Sequence, residues 1–308
     1  MIISGAIDLG GTKIEGRLFN NNMETIQTAR LPTPVADFDS FMEGLSAQIE
    51  WLTRTAANPE LPIGICLPGW IDPATGEGFA SNIPITGRDV GSALKARFGR
   101  TFPIMNDCLA FTYSEVHGGA AANHSVVVGL IIGTGMGAGV VIDGRVLPRF
   151  NGLALEIGHT GMPARALSEF DLPLIPCGCG NLGCMERYVS GTGLAAISNI
   201  KLNTRISNEE LVTRALAGDP DCEAVLDQWA ELTAEAMVTL QLTIDPDCIV
   251  LGGGLSNIPR ITNRLAPAFE RRKLGATRIP RLTTACFGDS SGARGVALYA
   301  LHQQEAQS

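Results

Sequence analysis

No apolar run in this sequence approaches the ~20 residues that a membrane-spanning helix requires. The first residues, MIISGAIDLGGTK, show no basic segment ahead of a long apolar one. A membrane partner and a secretory leader are therefore not expected, and a cytoplasmic protein is. Runs of Lys and Arg are missing too, and the formal charge of −8 is spread over both halves. The electrostatic footprint that nucleic acid needs is absent. Nor is there a disordered tract: 45% hydrophobic and 18% charged residues describe an ordinary folded chain.

Glycine is what the sequence has in plenty. Its 36 glycines cluster at Gly10-Gly11, Gly133 to Gly139, Gly178 to Gly183 and Gly252 to Gly254, and such clusters let backbone approach a ligand closely. Around the first cluster, Ile2 to Asp8 reads as a buried strand, and Lys13 to Phe19 alternates as a second, so Gly10-Gly11-Thr12 is a turn between them. A third extended stretch near Thr25 to Leu31 precedes a helix from Phe38 to Thr53 with Asp37 or Asp39 as its cap. A strand at Ile63 to Leu67, a helix at Gly91 to Phe98 and a strand at Pro103 to Asn106 follow. The order then echoes itself: strand Ser125 to Ile132, glycine loop Gly133 to Gly139, strand Val140 to Ile142, and later a helix Trp229 to Ile244 and a strand Cys248 to Leu251. At 308 residues the chain is long enough for two domains. The echo predicts two α/β domains of similar topology flanking a cleft: a small one over 1–110 and a large one over 111–291, with a C-terminal helix near 292–308 packing back on the first.

Gly133-Thr134-Gly135-Met136-Gly137-Ala138 fits the dinucleotide pattern G-x-G-x-x-A. That pattern works by opening a helix whose N-terminus faces pyrophosphate, and here a strand and an Asp143-Gly144 turn come next. Gly10-Gly11-Thr12-Lys13 likewise does not complete a P-loop. Two glycine turns remain, each with a threonine at its tip; either is readable as a tight hairpin or as a nest of amides for phosphate oxygens. With Asp8 at a strand end as a candidate for hydrated Mg²⁺, the pair favours a nucleotide cleft. Asn106-Asp107 also has two readings, a turn capping a helix over Cys108 to Val116 or a carboxylate that accepts a hydroxyl proton. His159, Cys177, Cys179 and Cys184 make a Cys₃His set matching closed tetrahedral zinc, and a disulfide among three cytosolic cysteines is not expected. Local sequence leaves His159 open, as the fourth ligand or as an unrelated histidine.

These elements, in this order and over nearly the whole chain, resemble the ROK family of sugar kinases and repressors, whose fold is the actin-like, ribonuclease-H-type ATPase. The family's first phosphate motif stands as Asp8-Leu9-Gly10-Gly11-Thr12-Lys13, its second as Gly133-Thr134-Gly135-Met136-Gly137, and its adenosine-side glycines as Leu251-Gly252-Gly253-Gly254. Its sugar loop stands as Pro68-Gly69-Trp70-Ile71-Asp72 with Ser81-Asn82-Ile83-Pro84, and its Gly-His segment as Glu156-Ile157-Gly158-His159. The zinc signature runs from Cys177-Gly178-Cys179-Gly180 to Gly183-Cys184-Met185-Glu186. The resemblance implies Asp107 as general base, and Gly69, Asn82, Asn106, Glu156, His159 and Glu186 around the sugar. It also implies a structural Zn²⁺ that orders the loop presenting Glu156 and Glu186. ATP, Mg²⁺ and a homodimer are expected with it. Cys108-Leu109-Ala110 departs from the small or amide residues usual after Asn-Asp, without touching the base.

The sugar implied is N-acetylglucosamine, phosphorylated at its 6-hydroxyl, on the strength of Ser81 to Pro84, Gly152 to His159 and Asp171 to Cys184. Gly288-Asp289-Ser290-Ser291-Gly292 is similar to fructokinases of the family, and glucose and N-acetylmannosamine stay open. Repressors of the family carry a helix-turn-helix ahead of the first phosphate motif, which here begins at Asp8, so an enzyme is expected. An actin- or chaperone-like ATPase would need neither the sugar loop nor the zinc run.

Overall fold

The structure is a computed structural model describing residues 1–288 and 291–306. Its chain divides into two compact units. The first holds Met1–Asn123, Gly139–Ala154 and the chain from Cys286 onward; the second holds His124–Ala138 and Leu155–Ala285.

In the first unit β1 (Ile2–Leu9), β2 (Lys13–Asn20) and β3 (Thr25–Pro32) form an antiparallel meander. Helix α1 (Phe38–Thr55) is capped by the Asp37 carboxylate, which accepts the Ser40 amide at 2.7 Å. Its apolar residues Phe41, Leu45, Ile49 and Leu52 recur at helical spacing and are fully buried beside Ile7, Ile14 and Ile65. Truncating one of them to alanine costs ~2–5 kcal/mol. Then come β4 (Ile63–Leu67), the small hairpin β5 (Trp70–Ile71) and β6 (Gly78–Phe79), α2 (Val90–Phe98), β7 (Ile104–Asn106) and α3 (Asp107–Val116). The sheet order is β3-β2-β1-β4-β7, with β4 and β7 parallel to β1.

The second unit repeats the plan. β8 (Val126–Ile132) and β9 (Met136–Ile142), whose residues from Gly139 onward count with the first unit, flank a glycine turn; β10 (Cys248–Gly252) lies parallel to β8, and β11 (Arg281–Thr284) parallel to β10. Thus β2-β1-β4-β7 matches β9-β8-β10-β11. Between β9 and β10 run α4 (Ala164–Glu169), α5 (Glu186–Val189), α6 (Gly191–Leu202), α7 (Asn208–Leu216) and α8 (Pro220–Ile244). Trp229 of α8 is fully buried and donates its indole N–H to the Val189 carbonyl at 2.7 Å. Helix α9 (Ile261–Arg272) precedes β11.

Helix α10 (Ser291–Glu305) belongs to the first unit and packs on α3, β4 and β1. Contact is backbone to backbone. A Cβ on Gly295 would stand 1.8 Å from the Ala110 carbonyl oxygen, and one on Gly64 would stand 2.1 Å from the Val296 oxygen. Near the end of α3, Glu115 is fully buried; its carboxylate accepts from the Ala120 and Cys286 amides at 3.0 Å, the Phe287 amide at 3.4 Å and the Ser291 hydroxyl at 2.8 Å.

Three expectations shift. Residue 110, the expected division, lies inside α3, and the first unit continues to Asn123 because α3 packs on α10. β9 begins at Met136, so the loop expected over Gly133 to Gly139 is a short turn and a strand. Gly139 is in that strand for proximity: its Cβ would meet the Cys108 carbonyl oxygen at 2.4 Å. Helix α8 begins nine residues before the expected Trp229, at Pro220, where Asp219 caps it.

Candidate active site and metal centre

In the first unit the Gly10–Lys13 turn closes on itself, the Gly10 amide donating to the Lys13 carbonyl at 2.9 Å. Thr33, which no local pattern marks, anchors it: its hydroxyl donates to the Gly10 carbonyl at 2.6 Å and its amide to the Thr12 carbonyl at 3.1 Å. Asp8, one residue before the end of β1, lies opposite Cys66 in the parallel register, and the Cys66 thiol donates to its Oδ1 at 3.4 Å. Burial pushes the Asp8 carboxyl up from its usual range, against the pull of that bond. The fully buried Cys66 thiol is pushed well up by burial and by the carboxylates of Asp8 and Asp107, so it stays a donor. A partly buried carboxylate whose hydrogen bond comes from a weak thiol donor is suited to share a hydrated Mg²⁺ with phosphate oxygens.

Asn106 and Asp107 sit where β7 becomes α3. The Asn106 side-chain oxygen accepts the Cys108 amide at 2.8 Å and the Leu109 amide at 3.3 Å, capping the helix; its nitrogen donates to the Gly69 carbonyl at 2.9 Å. Asp107 Oδ1 accepts the Cys108 amide at 2.8 Å. Its carboxylate occupies the first turn of α3, where the helix dipole favours negative charge. Gly69 has φ +117° and no room for a side chain: a Cβ would lie 2.1 Å from the Phe79 oxygen. Asn82 is exposed and lies against Gly11.

The second unit holds the second turn. Gly133 donates to the Gly135 carbonyl at 3.0 Å, Gly191 to the Gly133 carbonyl at 2.7 Å, and the Thr192 hydroxyl to the Thr134 carbonyl at 3.2 Å. Gly253 (φ +79°) presses on the end of β8, where its Cβ would come within 2.6 Å of Ile132; Gly254 follows at the start of a 3₁₀ turn. Thus the glycine clusters at Gly133 and at Gly252 to Gly254 lie together. Gly191, Thr192 and Asn208, which donates to the Gly191 carbonyl at 2.8 Å, escaped the sequence reading because they are distant in the chain.

His159, Cys177, Cys179 and Cys184 come together, their ligand atoms all within 4.8 Å of one another. Cys179 and Cys184 sulfurs are 3.5 Å apart, and Cys177 Sγ is 3.7 Å from His159 Nδ1. Zn–S bonds of ~2.3 Å in a tetrahedron give edges of roughly 3.8 Å. The donor set fits zinc in both chemistry and spacing. Backbone bonds hold the loop in shape: the Cys177 amide donates to the Asn181 carbonyl at 2.9 Å, the Met162 amide to Gly183 at 2.8 Å, and the Met185 amide to Thr160 at 2.9 Å. Tyr188 clasps it by donating to the Pro173 carbonyl at 2.8 Å and accepting the Ile175 amide at 3.1 Å.

Glu186 begins α5 beside this loop, and its Oε2 accepts the Met136 amide at 3.1 Å. Glu156 is exposed just before the 3₁₀ turn Ile157–His159. Gly158 of that turn touches the Met136 backbone, with its absent Cβ 2.3 Å from the carbonyl oxygen. In the second unit the structure therefore brings together the second glycine turn, the Gly-His segment and the cysteine loop. Of the fructokinase-like stretch, Asp289 and Ser290 lie outside the described residues.

The profile of the ROK family matches residues 4–303. The chain belongs to that family. It is 37% identical over 293 residues to an N-acetylgalactosamine kinase of Shewanella sp. (strain ANA-3), covering 95% of this chain and 94% of the relative. It is 34% identical to an N-acetyl-D-glucosamine kinase of Aliivibrio salmonicida, over 94% and 97%. Among solved structures, a ROK hexokinase from Thermus thermophilus superposes with a TM-score of 0.82 at 30% identity, covering 99% and 100%. This ROK chain has the actin-like ATPase fold. Among the described residues no helix is long and apolar enough to cross a membrane.

Proposed function

We propose that this ROK chain is an ATP-dependent sugar kinase that phosphorylates the 6-hydroxyl of N-acetyl-D-glucosamine. The observation that carries the reading is similarity along almost the whole length to kinases of N-acetylated hexosamines, at 33–37% identity. It spans the sugar loop and the cysteine loop as well as the phosphate motifs.

In the first unit Asp107 takes the proton of the 6-hydroxyl as that oxygen attacks the γ-phosphorus and ADP leaves. The α3 N-terminus and the Asn106 cap fix where its carboxylate points. Asn82 and the Gly69 loop orient the hexose, and the Gly10–Lys13 turn holds phosphate oxygens. Asp8 would hold Mg²⁺, which neutralises phosphate charge when bound. In the second unit the Gly133–Gly137 turn and Gly253-Gly254 serve the nucleotide, while Glu156, His159 and Glu186 serve the sugar hydroxyls. Catalysis of this type is mostly positioning and electrostatics.

Zinc on His159, Cys177, Cys179 and Cys184 would be structural, cross-linking the loop. With Nδ1 toward the sulfurs, the His159 ring keeps its Nε2–H to donate to a sugar hydroxyl. The reading places the chain in the cytoplasm, where ATP is made and thiols stay reduced. A homodimer, expected from the family, is checked by light scattering.

A second reading rests on the N-acetylgalactosamine kinase at 37% identity: the same reaction on the C4 epimer. Both are tested by kcat/KM for N-acetylglucosamine, N-acetylgalactosamine, N-acetylmannosamine, glucose and fructose at fixed Mg-ATP. A pocket that bonds the acetamido group leaves polar atoms unpaired with glucose, so the N-acetyl sugar should lead by on the order of 10²-fold. Preference for the galacto epimer selects the second reading; preference for fructose overturns both.

A further inference from the structure

Each phosphate turn contains a glycine whose side-chain space is taken by a residue assigned to the sugar. A Cβ on Gly11 would stand 3.0 Å from Asn82 Nδ2, 3.1 Å from its Cβ and 3.2 Å from its Cγ. On Gly135 it would stand 2.6 Å from Glu186 Oε2, the oxygen that accepts the Met136 amide. Neither glycine has a positive φ, so backbone conformation does not demand glycine at either position. What demands it is the neighbour.

We propose that Gly11 and Gly135 are positioning residues for the sugar: by leaving room for Asn82 and Glu186 they fix where those side chains stand. The inference rests on the kinase reading and extends it. In that reading both glycines serve phosphate, and nothing assigns them a part in binding the hexose. Here each phosphate turn and its sugar residue form one packed pair, so a change in the turn reaches the sugar even when no nucleotide is bound. The two pairs lie in separate units and make the case independently.

The atom displaced at position 135 is the far end of a flexible side chain; at position 11 the exposed Asn82 must give by a few tenths of an ångström along its whole side chain, from Cβ to Nδ2. Alanine at either place is therefore accommodated by moving Glu186 or Asn82, not by unfolding the turn. Asparagine or glutamate then stands away from the hydroxyl it serves.

The test is calorimetric titration of N-acetyl-D-glucosamine into the full chain without nucleotide. Gly11→Ala and Gly135→Ala should each weaken binding about tenfold or more, a shift well within what one displaced polar contact carries. Thermal midpoint and zinc content should match the unmodified chain. Two cycles make the result specific. In Gly11→Ala/Asn82→Ala the affinity should equal that of Asn82→Ala alone, and in Gly135→Ala/Glu186→Ala that of Glu186→Ala alone, because the glycine change acts only through the side chain. Unchanged affinity in the alanine variants overturns the inference and leaves the kinase reading intact. So do penalties that multiply in the double variants, or a loss of zinc that accompanies the loss of sugar in Gly135→Ala. If the unmodified chain binds none of the five sugars tested above, the kinase reading and this inference fall together.

Discussion

Asn106 ties a strand end to a loop with one amide: its oxygen caps α3 through the Cys108 amide at 2.8 Å, and its nitrogen holds the Gly69 carbonyl at 2.9 Å. The two halves of the amide can be separated by mutation. Asn106→Asp keeps the cap but turns a carboxylate oxygen toward the Gly69 carbonyl. Stability should fall by about 1–3 kcal/mol in urea titration, and sugar KM should rise while the helix content stays unchanged. An Asp variant with the parental KM would remove the Gly69 bond from the sugar site.

Asp107→Asn should fold normally and bind sugar, yet turn over about 10²- to 10⁴-fold more slowly, the range for a positioned base. Coupled assay of ADP release, with circular dichroism as the folding control, decides it. Turnover within a few-fold of the parent would take the base role away from Asp107.

Elemental analysis should find one zinc per chain. Cys179→Ser removes a ligand from the tetrahedron, so metal, sugar affinity and activity should be lost together as the loop beside Glu186 loosens. Full zinc occupancy in that variant contradicts the ligand set.

Glu115 lies outside the proposed chemistry, and its substitution should read as stability alone. Glu115→Ala leaves the part-buried Cys286 and Phe287 amides and the buried Ser291 hydroxyl without their acceptor, costing on the order of 3 kcal/mol. Glu115→Gln keeps the shape but replaces an acceptor with a donor, and should cost less. The comparison is made by denaturant unfolding, and equal midpoints for both variants and the parent would show that the four bonds contribute nothing net.

What was readable in the sequence was local. The hairpin at Gly10–Lys13, the buried run Ile63–Leu67 and the Asp37 cap follow from patterns within a few residues. The cap and base readings of Asn106-Asp107 looked like alternatives, but Asn106 performs the cap while Asp107 stands beside it. The cysteine run was readable for the same local reason, and the structure brings His159, 18 residues before Cys177, to its open corner. Tertiary contacts were not readable. Thr33 on the first turn, Glu186 on the second and Gly253 against Ile132 join positions 23, 50 and over 100 residues apart in the chain, and no periodicity records them. Glycine was ambiguous for a physical reason. The residue serves a turn at Gly253, where φ is positive, and close packing at Gly139, where it ends up inside a strand.

The backbone contact of α10 with α3 and β4 has a consequence for how this chain can vary. Gly64 and Gly295 face carbonyl oxygens that cannot rotate away, so even alanine forces whole elements apart, and α3 carries Asp107 at its start. Tolerance to substitution should thus be low at two glycines that touch no ligand. In a library selected for growth on the sugar, positions 64 and 295 should stay invariant, while the exposed strand β3 drifts freely.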